Sequence, residues 1–337
     1  MSSPTEPGAQ GWMPDSSGGP MTVGRILDRI WAILRGNAGL FLRLGAVPAA
    51  AMVAVYGILF GVLAAEGMFQ VPHPSQPPDP LHLLWGVVPA MLLALVPLVV
   101  AYAVYQAAAC HAAISANRGG GVTFGDAYRA VGRNAGRYVG LMLLQALCVA
   151  LPVVVILAAL TGAFAVEQLE WKGGISPGAL FLVVPLVMVL YLLAMVYAVW
   201  MALRLGLAFP ACVAESLGPL EALRRSSALT RSAKGRMFVV LLVVFAISYA
   251  AFLVFELAMV AMAAILALLA SGMHLNLSHA LGTAGIMAVA VAIALLYLVW
   301  MALIWAGYAI SLSVLYEDQL VRIDGSGGAA ITHGEPA

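Results

Sequence analysis

Charge is scarce in this chain: only 9% of its 337 residues are Asp, Glu, Lys or Arg, where a soluble domain carries about 25%. Together with 63% hydrophobic residues, that scarcity excludes a soluble globular enzyme, a disordered chain and a nucleic-acid-binding protein. Cysteine is also scarce. Cys110, Cys148 and Cys212 are the three present, all expected in a membrane or at its cytoplasmic edge, where disulfides are not formed. A phosphate cradle is missing, since Gly119-Gly120-Gly121 has no following Lys-Ser/Thr and reads as a hinge. Residues 1–20 lack a basic stretch followed by an apolar core, so no cleavable signal peptide is expected and the first span acts as its own insertion signal.

Uncharged apolar sequence, by contrast, is abundant. A helix needs about 20 apolar residues to cross a hydrocarbon core of roughly 30 Å. Leu44 to Ala65, Leu81 to Asn117, Tyr138 to Val166 and Gly178 to Leu203 all qualify. Met237 to Phe255 is followed, after Glu256, by no charge until Glu317. The polar run from Ser271 to His279 divides that stretch into the end of a fifth span, a loop and a sixth span. These segments are apolar all round, whereas the helices of a soluble core keep a polar face. The expected fold is all-α and polytopic, with six transmembrane helices in residues 21–317 between disordered tails at 1–20 and 318–337.

The basic residues set the orientation. Of the 16 Lys and Arg, 15 fall on the side that holds both termini, and only Lys172 falls on the other. The positive-inside rule then puts both termini in the cytoplasm and Glu66, Asp79, Glu167 and Glu170 outside.

Internal repeats organise the rest. Tyr197-Ala-Val-Trp-Met-Ala-Leu203 recurs as Tyr297-Leu-Val-Trp-Met-Ala-Leu303, with a weaker copy at Tyr102-Ala-Val-Tyr105. Upstream, Thr22-Val-Gly-Arg25, Thr123-Phe-Gly-Asp126 and Gly218-Pro-Leu-Glu221 open three similar stretches. The inferred unit is a short cytoplasmic helix followed by a transmembrane hairpin, used three times at about 21–117, 118–215 and 216–317. Three such hairpins would stand with approximate threefold symmetry about the membrane normal. In the first copy Val23, Ile26, Leu27, Ile30, Trp31 and Leu34 share one face opposite Arg25, Asp28, Arg29 and Arg35, the pattern of a helix lying among headgroups. Phe124, Ala127, Tyr128 and Val131 repeat it opposite Asp126, Arg129 and Arg133. The third copy is more polar and could pack on the protein instead.

The run Arg204-Leu-Gly-Leu-Ala-Phe-Pro210-Ala-Cys-Val-Ala-Glu215-Ser-Leu-Gly-Pro-Leu-Glu-Ala-Leu-Arg224-Arg-Ser226-Ser-Ala-Leu-Thr230, closing at Gly235-Arg236-Met-Phe238, is the most distinctive in the chain. It resembles the membrane domain of glycerophosphoryl diester phosphodiesterases and, equally, the bacterial multi-pass proteins related to that domain. The start from Thr22 through Asp28-Arg29 to Asn37 and Phe41 is similar as well. One departure is Gly235, where the family pattern has an aromatic residue before the closing Arg. The resemblance implies a module of the bacterial cytoplasmic (inner) membrane. It implies no hydrolysis, because the family's phosphodiesterase chemistry belongs to a soluble barrel domain that does not follow the sixth span here.

Candidate sites follow from the same run. Arg204 falls near the cytoplasmic surface, where its guanidinium can reach a headgroup phosphate or Glu215, and Pro210 would kink or end the helix. Ser216 and Gly218 ahead of Pro219 supply start signals for the next helix. Arg224, Arg225, Arg231, Lys234 and Arg236 then form a basic collar. The collar reads either as a contact for an anionic lipid or a membrane-protein partner, or as ordinary positive-inside anchoring with an Arg204 to Glu215 bridge. Glu256 is the one carboxylate embedded in apolar sequence, so it is a proton-carrying candidate by default. It lies on the order of 28 Å beyond Met237, near the outer interface. His73, His82, His274 and His279 have no helical pairing or nearby cysteine, so no metal is expected. The spans contain no Asp, and His111 has no evident acidic partner, so neither a catalytic site nor a cofactor is expected. Two function classes remain: a non-catalytic scaffold, accessory or lipid-interacting module, or a transporter or lipid-handling protein with a site in the bundle centre. A polar cavity gathering Gln106, Gln145, Ser248 or Tyr249 would favour the second.

Overall fold

The computed structural model describes residues 21–65, 80–170, 177–231, 233–272 and 277–332. Among these residues there are ten helices and no strand: α1 (Val23–Gly36), α2 (Ala38–Ala65), α3 (Pro80–Asn117), α4 (Phe124–Gly132), α5 (Ala135–Glu170), α6 (Pro177–Leu205), α7 (Ala208–Ala214), α8 (Pro219–Leu229), α9 (Lys234–Gly272) and α10 (Leu277–Thr332). Six of them, α2, α3, α5, α6, α9 and α10, are long and apolar enough to cross a membrane. This is a membrane-embedded, all-helical protein. Lys172, Glu66 and Asp79 of the expected outer loops lie outside the described residues.

The short helices start where local chemistry supplies a cap. Thr22 Oγ1 accepts the Arg25 N–H at 3.4 Å and Thr123 Oγ1 accepts the Asp126 N–H at 3.3 Å, satisfying first-turn donors. At α8 the cap is Gly218, whose N–H donates to Glu221 Oε2 at 3.0 Å. Glycine has no side chain to return the bond, so this is half a capping box. The recurring sequence feature upstream of each apolar pair is thus a helix start.

Helix α1 packs on protein along part of its apolar stripe. Ile26 and Ile30 are buried, with Ile33 beside them, while Leu27 and Leu34 are half-buried and Trp31 is 63% exposed. The main partner of α1 is long: the 56 residues of α10 span about 84 Å, far more than a hydrocarbon core of roughly 30 Å, so α10 extends past the lipid and offers α1 a surface. In α4, Ala127 and Val131 are buried likewise, and Tyr128 donates to the Leu44 carbonyl at 2.8 Å. In α8, Ala222, Leu223, Ser226 and Leu229 are buried.

The core is polarised toward the end that carries the short helices. It runs from Phe41 and Leu44 through Tyr105 to Ala113, Leu207 to Cys212, Met237, and Ala306 to Tyr316. Helix α2 packs on α3 and α10, α5 on α3 and α6, and α9 on α10. α2 meets α10 at Gly45, where an added Cβ would stand 2.6 Å from the Ala302 Cβ. At the other end α2, α5, α6 and α9 expose Ile58, Val155, Leu193 and Val254, as lipid contact requires.

Pro210 ends a helix as expected, and one boundary shifts. α6 stops at Leu205 and α7 begins at Ala208, because the Pro210 ring and missing N–H conflict with the carbonyl four residues back, that of Gly206. α10 does not stop at 317, where a tail was expected. It continues to Thr332, and Asp318 and Gln319 are buried, because the first residues of the expected tail are paired into the fold.

Candidate functional site: the basic collar

The α6–α7–α8 corner is held by its polar side chains. The break after Leu205 leaves carbonyls at the α6 terminus without helical partners. Ser226 Oγ donates to the Arg204 carbonyl at 2.9 Å, and Thr230 Oγ1 does so at 3.4 Å. Both residues are fully buried. Ser216 adopts φ 54°, a left-handed conformation costly for a residue with a Cβ, and its carbonyl accepts from Arg137 Nη1 at 2.8 Å. Cys212 Sγ donates to the Leu217 carbonyl at 3.2 Å. These bonds give the hydroxyls of the distinctive run a role that the sequence reading did not assign them.

The expected Arg204 to Glu215 bridge does not form. Glu215 pairs instead with Arg225, whose Nε lies 2.9 and 3.1 Å from its two oxygens, and it accepts from the Tyr316 hydroxyl at 2.8 Å. Arg204 swings over Trp200, its guanidinium carbon 5.4 Å from the ring centre, and Lys234 sits at the same distance from that ring. With α6 ended at Leu205, the Arg204 side chain leaves the corner that its own carbonyl closes. Arg224 is exposed. Arg236 turns away to Asp318 of α10. Of the five expected contact residues, Glu215 and Arg225 hold the corner, Arg204 lies on an aromatic face, Arg236 joins a second ionic cluster and Arg224 stands exposed apart from them.

That second cluster is one the sequence reading missed. Asp318, 1% exposed, pairs with Arg236, lies 3.1 Å from Arg322 Nε and accepts the Met21 N–H at 2.7 Å. Arg322 Nη2 returns a bond to the Met21 carbonyl at 2.8 Å. Beside it, Glu317 pairs with Arg118 at 2.6 Å and with Asn117, which in turn accepts from Arg29 Nε at 2.6 Å. Burial lowers the Arg29 pKa from the usual arginine value, and Glu317 opposes the shift. The signal available beforehand was the spacing of Asp318 and Arg322, a pair one helical turn apart.

Polar groups deeper in the bundle do not gather. Gln106 is 3% exposed with its Oε1 unpartnered, while Gln145 Nε2 reaches the Leu205 carbonyl at 3.5 Å. Tyr249 is 52% exposed and stacks on Phe245. Ser248 lines apolar surface beside α9. Glu256 is half-buried on α9, next to Phe255, which stacks on Trp300 with ring centres 5.7 Å apart. Among the described residues no group of three or more His, Cys, Asp or Glu could hold a metal. His73 and His274, and the side chains of His82 and His279, lie outside the described residues.

No curated protein and no solved structure matches the chain. Residues 29–315 match a family of unknown function, DUF7544, over a stretch that takes in five spans, most of the sixth and the whole collar. The chain belongs to that family.

Proposed function

We propose that this protein is a non-catalytic module of the bacterial cytoplasmic membrane, a scaffold, accessory or lipid-interacting protein with both termini in the cytoplasm. One observation carries the reading: the carboxylates at the collar end that are at least partly buried, Glu215, Glu317 and Asp318, are all engaged in joining helices. Glu215, Arg225 and Tyr316 tie α7, α8 and α10, and Asp318, Arg236 and Arg322 tie α9, α10 and the segment ahead of α1. A catalytic centre needs such groups converging on a substrate, and here they converge on one another. In this reading the three hairpins are repeats around the membrane normal, each introduced by its capped short helix. The likeness of the run from Arg204 to the glycerophosphoryl diester phosphodiesterase membrane domain is part of the same proposal.

Arg204, together with Arg224 and Arg231 of the collar, is left to meet an anionic headgroup or an acidic partner, all three exposed and none with a carboxylate partner among the described residues. The test is mass spectrometry of what stays bound when the protein is extracted into native nanodiscs, against an Arg204→Ala variant that leaves the buried pairs intact. The expected result is a stoichiometric protein partner, or an anionic lipid retained selectively and reduced in the variant. The second reading, a transporter or lipid-handling protein with a central site, draws on buried Tyr105 and Gln106, whose OH and Oε1 lack partners. Retention of a soluble solute that Gln106→Leu abolishes would replace the first reading with the second.

A further inference from the structure

Two apolar grooves flank α9. One, of about 420 Å3, lies among α6, α9 and α10, and the other, of about 670 Å3, lies among α1, α9 and α10. The larger has the volume of a small-molecule site, roughly 300–1,000 Å3. It also has a rim of a different character. Its walls include Leu27, Ile30, Val244, Ile247, Leu303 and Ile304. Exposed Trp31 and Arg35 line it as well, and Arg35 has no carboxylate partner among the described residues. Trp300 lines the same groove, and its buried Nε1 has no acceptor.

We propose that this groove seats one acyl chain of an anionic phospholipid, with the headgroup phosphate at Arg35. This deepens the lipid-interacting part of the proposed function and rests on it. In a bilayer the abundant occupant for an open apolar groove is a lipid chain, since an empty one forfeits its dispersion contacts. Arg35 then selects for negative charge: a guanidinium matches a phosphate in geometry and cannot lose its proton. Trp31 has the amphipathic ring favoured at the interface between chains and headgroups.

Gly307 provides the handle. It lines the groove, and a Cβ placed there would meet nothing within 4 Å, so a larger side chain fills the groove instead of colliding with its walls. The experiment places the full chain in phosphatidylcholine nanodiscs containing a phosphatidylglycerol with a diazirine in mid-chain, photolyses it and maps the adducts. Phosphatidylcholine carrying the same diazirine is the comparison. In the wild-type chain the adducts are expected on Val244, Ile247, Leu303 or Ile304. Gly307→Phe should remove most of them and Gly307→Ala should not. Arg35→Gln should cut the preference for phosphatidylglycerol about fivefold, the worth of one basic residue at an anionic surface. Wild-type adducts spread over the outward faces of α5 and α6, or equal labelling by both lipids, overturns the site whether or not any variant folds. Such a result beside a stoichiometric protein partner in the extraction experiment removes the groove and leaves the module standing. Adducts in the groove beside retention of a soluble solute that Gln106→Leu abolishes keep the groove and remove the module.

Discussion

Asp318 shows how much one buried side chain controls here. A carboxylate 1% exposed is tolerable only because Arg236, Arg322 and the Met21 N–H surround it. Removing it strands Arg236, which is itself mostly buried. Breaking one partner of a buried pair typically costs about 3–5 kcal/mol. Asp318→Ala should therefore lower stability by about that much in detergent, read from thermal unfolding. Arg322→Ala, at a more exposed position, should cost about 1 kcal/mol or less. Equal losses would mean that the cluster does not work through Asp318. The residue was hidden in the sequence because it follows an apolar stretch and precedes a polar tail. Its burial depends on α9 bringing Arg236 alongside, 82 positions away in the chain.

Among the elements, the crossing of α2 and α10 is the tightest small-residue contact. A Cβ at Gly45 would stand 2.6 Å from Ala302 Cβ and 3.2 Å from Ala302 Cα, so part of the obstacle is backbone. Small residues let membrane helices approach closely, and filling such a contact forces them apart. Gly45→Leu is expected to destabilise the chain by roughly 1–3 kcal/mol, the usual effect of overpacking. Gly57→Leu on the same helix, where a Cβ meets nothing within 4 Å, is the matched control and should leave stability nearly unchanged. Unfolding midpoints of the two variants decide the matter, and equal values would refute the contact. Helix starts were legible beforehand because a cap is a local event: Thr22 and Thr123 act on donors three residues away. Which surface an amphipathic helix covers is not local: Ile26 and Ile30 of α1 are buried on other helices, while Trp31 one position on stays exposed.

At the scale of the molecule, burial is uneven: in an apolar 18-residue stretch of each span, 28% of the residues are buried in α3 and 22% in α10, against 6% in α5 and in α9. The protein is thus organised around α3 and α10, while α5 and α9 present most of their surface to lipid. The proposed orientation predicts opposite labelling of the two sides. In intact cells a membrane-impermeant maleimide should modify Lys172→Cys in a chain lacking its native cysteines and should reach Arg231→Cys only after permeabilisation. The reverse pattern would invert the topology. Six spans, their approximate limits and the side on which cations collect are properties of the sequence by itself. Hydrocarbon requires each span to be apolar and to satisfy its own backbone bonds, and these demands are met residue by residue along the chain. The tertiary structure alone decided that Arg225, not Arg204, answers Glu215, that Ser226 and Thr230 close the end of α6, and that Asp318 belongs to the core. In each case the partners lie on different helices, and only packing determines which helices meet.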